Sequence, residues 1–173
     1  MLIYKIVLSV GIIAITTYIG NMKAEKLKNR EYILRDMVSF LKLVKNEILY
    51  MRAILPNAYE SARHKLSSEL NLKISNIVID MLKYENSLNF IETSIVNNVY
   101  SIDSLSNYDK NIFSATLKNL GRSDVDGQIN IIENTITIIE NQIAEANEIK
   151  LKSSKVYKTV GMITGLMIVV VFI

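Results

Sequence analysis

The sequence predicts an all-α protein in which a cytoplasmic bundle of about six helices lies between an N-terminal and a C-terminal transmembrane helix. Three observations lead to this class: uncharged apolar runs at both ends, apolar residues at helical spacing between them, and no convincing segment with the period of a strand. We expect a transmembrane anchor at 1–22, a cytoplasmic helical-bundle domain at 23–158 and a C-terminal transmembrane helix at 159–173. A chain of 173 residues suits one such domain.

The first apolar run extends from Ile6 to Met22 and contains no charged residue. As a helix it covers roughly 25 Å at a rise of about 1.5 Å per residue, which is close to the hydrocarbon thickness of a bilayer. A cleavable signal peptide would begin in a similar way, but the region from Thr16 to Asn21 has no convincing small-residue cleavage site. We therefore expect an uncleaved anchor.

The second apolar run extends from Thr159 to Ile173 and is short for a span unless Lys155 and Lys158 reach back to the interface. A short span is favoured over a buried helix because no later residues would cover it. Within it, Gly161 and Gly165 form a G-x-x-x-G pattern, which allows two helix backbones to approach closely. The partner would be the first span, through Gly11, or another protein; ordinary glycine usage is an equal alternative.

Basic residues indicate the orientation of the spans, because they gather on the side of each span that faces the central domain. The positive-inside rule then places that domain in the cytoplasm and both termini outside. The two clusters are Lys23, Lys26, Lys28 and Arg30 after the first span, and Lys150, Lys152, Lys155 and Lys158 before the second.

Two long helices and four shorter ones are expected between the spans. Apolar residues at alternating spacings of three and four mark the long helices, which should extend the spans as an antiparallel stalk. These residues are Leu34, Met37, Leu41, Val44, Ile48 and Met51 on the first, and Val125, Ile129, Ile132, Ile136, Ile139, Ile143 and Ala146 on the last. Shorter helices are predicted near Asn57–Leu66, Leu72–Tyr84, Ser87–Tyr100 and Asn107–Leu120.

Capping residues support these boundaries. Pro56 suits a helix start, and Ser106 with Asp109 resembles a capping box. The clearest break follows Leu120: Gly121 should adopt a left-handed conformation, and Ser123 should accept a hydrogen bond from the amides of the next helix. Asp124 and Asp126 favour the positive N-terminus of that helix.

The composition argues against catalysis. The chain has no cysteine and one histidine, so it can hold neither a disulfide nor a zinc site of the usual kinds. His64 lies between Arg63 and Lys65 and should be exposed or interfacial rather than a ligand or a general base. Glu133 and Glu140 should lie on a solvated helix face rather than in a cation or acid/base site. No phosphate-binding loop and no basic aromatic surface for nucleic acid is present. We expect no enzyme activity, no cofactor and no nucleic-acid partner.

A series of short segments, in a particular order and spacing, gives the chain a family resemblance. They are Gly20 to Lys28, Glu47-Ile48-Leu49-Tyr50, Leu55, Ala58, Phe113, Leu120-Gly121, Asp124, Gln128 and Lys155-Val156-Tyr157-Lys158. With these segments the chain resembles, over essentially its whole length, the stage III sporulation protein AB family, whose soluble domain is similar to the F-family platform proteins of type II secretion and type IV pilus machines. One departure is Ile54, which stands where the family often has proline.

The resemblance implies a component of a channel between mother cell and forespore, located in the mother-cell membrane around the forespore. Its expected partners are the secretion-type ATPase of the same operon, the AA protein, other channel components and the membrane, with a possible homo-oligomer. The docking surface is expected at two membrane-distal turns. Candidate residues there are Arg52, Leu55, Asn57, Arg122, Asp124 and Asp126.

Two rival classes remain open at this point. A generic helical-hairpin adaptor or scaffold, unrelated to secretion, would share every feature that the residues alone indicate. A small transporter or channel subunit is disfavoured because neither span carries the inward-facing ionisable residue that usually marks a transport path.

Overall fold

The computed structural model describes residues 2–85 and 87–172. Within these residues it contains six α-helices and no strand, which confirms the predicted all-α class. The helices are α1 (Leu2–Asn46), α2 (Leu55–Arg63), α3 (Ser68–Lys83), α4 (Leu88–Tyr100), α5 (Asn107–Asn119) and α6 (Val125–Phe172). A π-helical turn at Glu47–Met51 follows α1 directly. The four shorter helices lie where they were predicted, with boundaries that differ by a few residues.

The chain divides into two compact units. The first, which we call the paired-helix unit, comprises Met1–Glu31 and Glu145–Ile173; the second, the bundle unit, is Tyr32–Ala144. Because α1 and α6 each contain 45 or more residues, they contribute to both units.

The paired-helix unit is held by the close approach of its two antiparallel helices. Gly20 of α1 faces Gly161 of α6, and further along Glu31 forms an ion pair with Lys150. Large apolar side chains on both helices are exposed on the outside of the pair. They include Leu8, Val10, Ile15, Tyr18, Ile19 and Met22 on α1, and Val156, Val160, Met162, Ile163, Leu166, Met167 and Val170 on α6.

None of the helices, within the residues that the structure describes, combines the length and apolar character needed to cross a membrane. The predicted spans at 1–22 and 159–173 stay predictions. Their outermost residues, Met1 and Ile173, lie outside the described part of the chain.

The bundle unit is organised around an aromatic core. Phe40 of α1 packs edge-on against Tyr59 of α2, with ring centroids 5.2 Å apart, and against Phe113 of α5, at 6.1 Å. All three side chains are fully buried. Burial raises the pKa of the Tyr59 phenol, whose hydroxyl has no hydrogen-bond partner among the described residues.

The predicted apolar seams largely form this core. On α1, Leu34, Met37, Leu41 and Val44 are fully buried, but Met51 is 72% exposed because the chain leaves the α-helical path before it. The seam on α6 is buried at its centre and open at its start, where Val125 is exposed.

Polar contacts within the bundle unit support an antiparallel pairing of α1 and α6. Lys42 binds Glu140 at 3.2 Å and Lys45 binds Glu133 at 3.1 Å. Both glutamates are more than half exposed, which agrees with the predicted solvated face. Surface ion pairs of this kind contribute little to the free energy of unfolding. Their main effect is on the register between α1 and α6.

Candidate functional site

Two turns of the bundle unit meet and enclose a surface groove of about 860 Å³. One turn joins α1 to α2, and the other joins α5 to α6. The groove is lined by Ile48, Leu49, Arg52, Ala53, Ile54, Leu55, Gly121, Asp124, Val125, Asp126 and Gln128. It is the strongest candidate for a binding site because it combines apolar walls with charged groups at a place where the backbone is irregular.

The first turn is shaped by the way α1 ends. The π-helical turn Glu47–Met51 leads into Arg52, which has the left-handed conformation φ 48°, ψ 35°. The backbone N–H groups of Arg52 and Ala53 both donate to the carbonyl oxygen of Glu47. This geometry leaves the side chains of Tyr50, Met51 and Ile54 65% exposed or more.

The second turn depends on Gly121, which has φ 82°, as the sequence predicted. A Cβ atom added there would lie 2.6 Å from Cδ1 of Leu55, so the glycine also makes room for the first turn. The side-chain amide of Gln128 joins the turn to α6: its oxygen accepts from the Gly121 N–H at 3.0 Å, and its nitrogen donates to the Ser123 carbonyl at 3.1 Å.

The cap of α6 differs from the prediction. Asp124 precedes the first residue of the helix, and its Oδ1 accepts a hydrogen bond from the Gly127 N–H at 2.9 Å. Ser123, which was expected to cap, instead contributes its backbone carbonyl to Gln128. The helix begins one residue later than a Ser123 cap would require, so the prediction for Ser123 was wrong.

The capping box of α5 is present as predicted. Ser106 Oγ accepts from the Asp109 N–H, and the Asp109 carboxylate accepts from the Ser106 N–H. This reciprocal pair fixes the start of the helix that leads into the second turn.

The six candidate docking residues do not all reach the groove. Arg52, Leu55, Asp124 and Asp126 line it, whereas Asn57, exposed in the first turn of α2, and Arg122 do not. The guanidinium of Arg122 forms an ion pair with Glu92 of α4. Arg122 therefore joins the second turn to α4. Sequence reasoning missed this pair because the two residues lie far apart in the chain.

Three apolar groove residues were not named as candidates: Ile54 and Val125, which lie within the two predicted turns at 52–57 and 122–126, and Leu49, which precedes the first. Leu49 and Val125 are both 39% exposed, and Ile54 is 65% exposed. For Leu49, the sequence feature that could have indicated it is the segment Glu47-Ile48-Leu49-Tyr50, which contributes to the family resemblance. Val125 had been assigned to the buried apolar seam of the last helix.

Titratable groups outside the groove form local pairs. The hydrogen bond from Arg63 lowers the pKa of the Glu60 carboxyl, and nearby His64, itself exposed, acts in the same direction. Within the described residues no group of three or more histidine and acidic side chains could hold a metal ion.

Gly161 and Gly165 lie against the first helix of their own chain. A Cβ atom added at Gly161 would lie 2.7 Å from the Thr16 carbonyl oxygen, and one at Gly165 would lie 3.0 Å from Cα of Ile13. Gly11, the predicted counterpart, has no such neighbour within 4 Å; Gly20 takes that place, 3.2 Å from the added Cβ of Gly161. The glycine of α1 that faces Gly161 is decided by the register between the two helices, and the sequence pattern alone does not determine that register.

These features define an all-helical protein with a close-packed helix pair and a bundle that presents a groove at two turns. The chain belongs to the stage III sporulation protein AB (spore_III_AB) family, whose model matches residues 5–173. It is therefore a sporulation protein. No curated protein and no solved structure matches the chain significantly.

Proposed function

We propose that the protein is a non-enzymatic membrane platform of a sporulation-specific, secretion-like channel between mother cell and forespore. Its bundle unit lies in the mother-cell cytoplasm and binds the ATPase encoded in the same operon. The observation that carries this proposal is the groove, where apolar side chains stay exposed beside charged ones on a folded bundle. A platform must present such a surface to a cytoplasmic partner.

Exposed apolar residues in and beside the first turn are typical of a protein-binding surface. Ile54 lines the groove, Tyr50 and Met51 precede it in the chain, and each of the three is 65% exposed or more. Aromatic residues and methionine are enriched at the centres of protein interfaces, where they bury a large area. The family membership supplies the sporulation context. The ATPase as partner is what the resemblance of the sequence implies.

The membrane assignment draws support from the paired-helix unit. Its outer surface carries exposed apolar side chains, and lysines follow the apolar segment of α1 and precede that of α6. Apolar exposure of this extent is costly in water and favourable in lipid, and the lysines suit an anionic headgroup layer.

The test is copurification of the full-length chain, in detergent, with the ATPase of the same operon. Ile54→Asp places a charge in the groove and should weaken binding about tenfold or more, because a desolvated carboxylate would face apolar partner atoms. Leu82→Asp is the matched control, since Leu82 on α3 is 63% exposed against 65% for Ile54. Both variants should give the circular dichroism spectrum of the native chain.

Sporulation efficiency is the second measurement. Ile54→Asp should lower it, whereas Leu82→Asp should leave it near the native level. Equal loss of ATPase binding in both variants would remove the groove from the proposal. Absence of any binding by the native chain would contradict the platform function and favour a generic membrane adaptor.

A further inference from the structure

The outer face of α3 carries a row of exposed residues. They follow one another at alternating spacings of three and four, so they lie along one side of the helix. The two apolar members, Leu72 and Ile79, are 58% and 57% exposed. Leu82, whose substitution is the control for the groove, lies outside this row. The row consists of Glu69, Leu72, Asn76, Ile79 and Lys83.

The chemistry of this row is self-complementary. An acid begins it, a base ends it, an amide lies at its centre, and one apolar residue lies between the amide and each charge. In a second copy of α3 that runs antiparallel, with the two-fold axis at Asn76, Lys83 lies opposite Glu69 of the first copy. Leu72 lies opposite Ile79 in the same arrangement. A parallel copy would instead place each charge opposite the same charge, and the two would repel.

All the charged residues of α3 follow this rule. From its N-terminus the helix contains an acid, a base, an acid and a base, which are Glu69, Lys73, Asp80 and Lys83. In the opposite direction the order is base, acid, base, acid, so an antiparallel copy brings unlike charges together along the whole helix. The acids and bases are equal in number, and an exclusively acidic or basic partner would meet like charges as often as unlike ones. The surface that complements this order is the same helix reversed.

The central amide and the two end charges are accessible for such a contact. Glu69 and Lys83 are exposed and form no ion pair with another described residue. The side-chain nitrogen of Asn76 donates to the side-chain oxygen of Asn98 on α4 at 3.2 Å, which holds Asn76 at the surface. A polar residue at the centre of an apolar helix contact selects one register, because it needs a polar group opposite it.

We propose that two copies of the protein associate through this face of α3, as an antiparallel pair of helices. The row is about 21 Å long at the α-helical rise per residue, which is short for a protein interface. The pair should therefore exchange rapidly with single chains. The contact uses none of the residues that line the groove, so it does not depend on ATPase binding.

The reporter for this contact is Asn76→Cys in the full-length chain in detergent, treated with a short thiol crosslinker. The native chain has no cysteine, so the crosslink joins residue 76 of two copies. Adding Glu69→Lys places like charges opposite each other twice, because the symmetry repeats every contact, and the initial rate of crosslinking should fall about tenfold. Lys83→Glu should have the same effect. The two reversals together exchange the charges, and they should restore the rate.

Asn134→Cys, at an exposed position of α6, gives the rate of random collision, and circular dichroism checks the fold of every variant. A rate for Asn76→Cys no higher than that of this control would overturn the inference. Single reversals that leave the rate unchanged, or a double reversal that stays slow, would also overturn it. A loss of ATPase copurification in Glu69→Lys, without any crosslink from Asn76→Cys, would assign this face of α3 to the ATPase, with the same consequence.

The pair and the proposed function can fail separately. If the native chain binds the ATPase and no crosslink forms, the pair is wrong and the platform function stands. If the crosslink forms and responds to the charge reversals while the ATPase does not bind, the pair stands and the platform function fails.

Discussion

The two units of the molecule are stabilised in opposite ways. In the paired-helix unit, glycines let backbone approach backbone: an added Cβ at Gly20 would lie 2.6 Å from the Tyr157 carbonyl oxygen. In the bundle unit, large side chains such as Phe40, Tyr59 and Phe113 fill the space between helices. The first unit should therefore be sensitive to atoms that are added, and the second to atoms that are removed.

Phe40→Ala should have the largest effect on the bundle unit. It removes the ring that touches both Tyr59 and Phe113, and a cavity of that size in a close-packed core costs about 3–5 kcal/mol. Chemical denaturation of the full-length chain in detergent, followed by circular dichroism, would measure this loss. Leu82→Ala is the control, because Leu82 is 63% exposed and should cost little. Equal losses in the two variants would mean that the aromatic cluster is not the core.

Gly161→Leu should separate the two helices of the paired-helix unit, because it adds a side chain where their backbones are in contact. The new side chain would meet the backbone of α1 at Thr16 and Gly20, so the helices must separate, at a cost of about 1–3 kcal/mol. The native chain has no cysteine, so spin labels on cysteines introduced at exposed Ile19 and Val160 can report the separation. The label distance should increase.

Gly11→Leu is the matched control for this experiment. Gly11 has open space around it, so the same added side chain should leave the label distance unchanged. A distance that increases for neither variant would show that the glycines do not hold the pair.

Gly121→Ala tests whether the bundle unit also contains a position at which an added side chain lowers stability. The left-handed backbone costs about 1 kcal/mol for alanine, and the contact with Leu55 adds to it. Combining the change with Leu55→Ala should show coupling, because the shorter side chain relieves the contact while the backbone term remains. Strictly additive losses in the denaturation midpoint would mean that the two turns do not touch.

Tyr59→Phe should have the smallest effect and the opposite sign. The buried hydroxyl of Tyr59 has no hydrogen-bond partner among the described residues, so its removal should stabilise the bundle by about 1 kcal/mol. Thermal unfolding would detect the change. A destabilised variant would show that the hydroxyl has a polar partner in the folded protein.

The features that the sequence predicted are those decided by nearby residues. The apolar spacing predicted the helices, Gly121 predicted the left-handed turn, and Ser106 with Asp109 predicted the capping box. Each depends on residues within a turn or two of one another.

The features that the sequence did not predict are of two kinds. Some depend on residues far apart in the chain, and others depend on whether a helix continues as an α-helix or changes to a π-helical turn. The apolar spacing continues through Met51, so nothing local indicated the π-helical turn or the left-handed Arg52. The pairing of Arg122 with Glu92 brings together α4 and the second turn. The groove lies at the two turns that the sequence analysis singled out. Its apolar walls, and the separation of Arg52 in the groove from Arg122 outside it, required the structure.

The most direct test of the platform account is photocrosslinking in sporulating cells. A photoreactive amino acid at Ile54 in the groove should crosslink the full-length chain to the ATPase of the same operon, and the same amino acid at the equally exposed Leu82 should not. No ATPase crosslink from Ile54, or equal crosslinks from Ile54 and Leu82, would contradict the assignment of the groove as the docking surface.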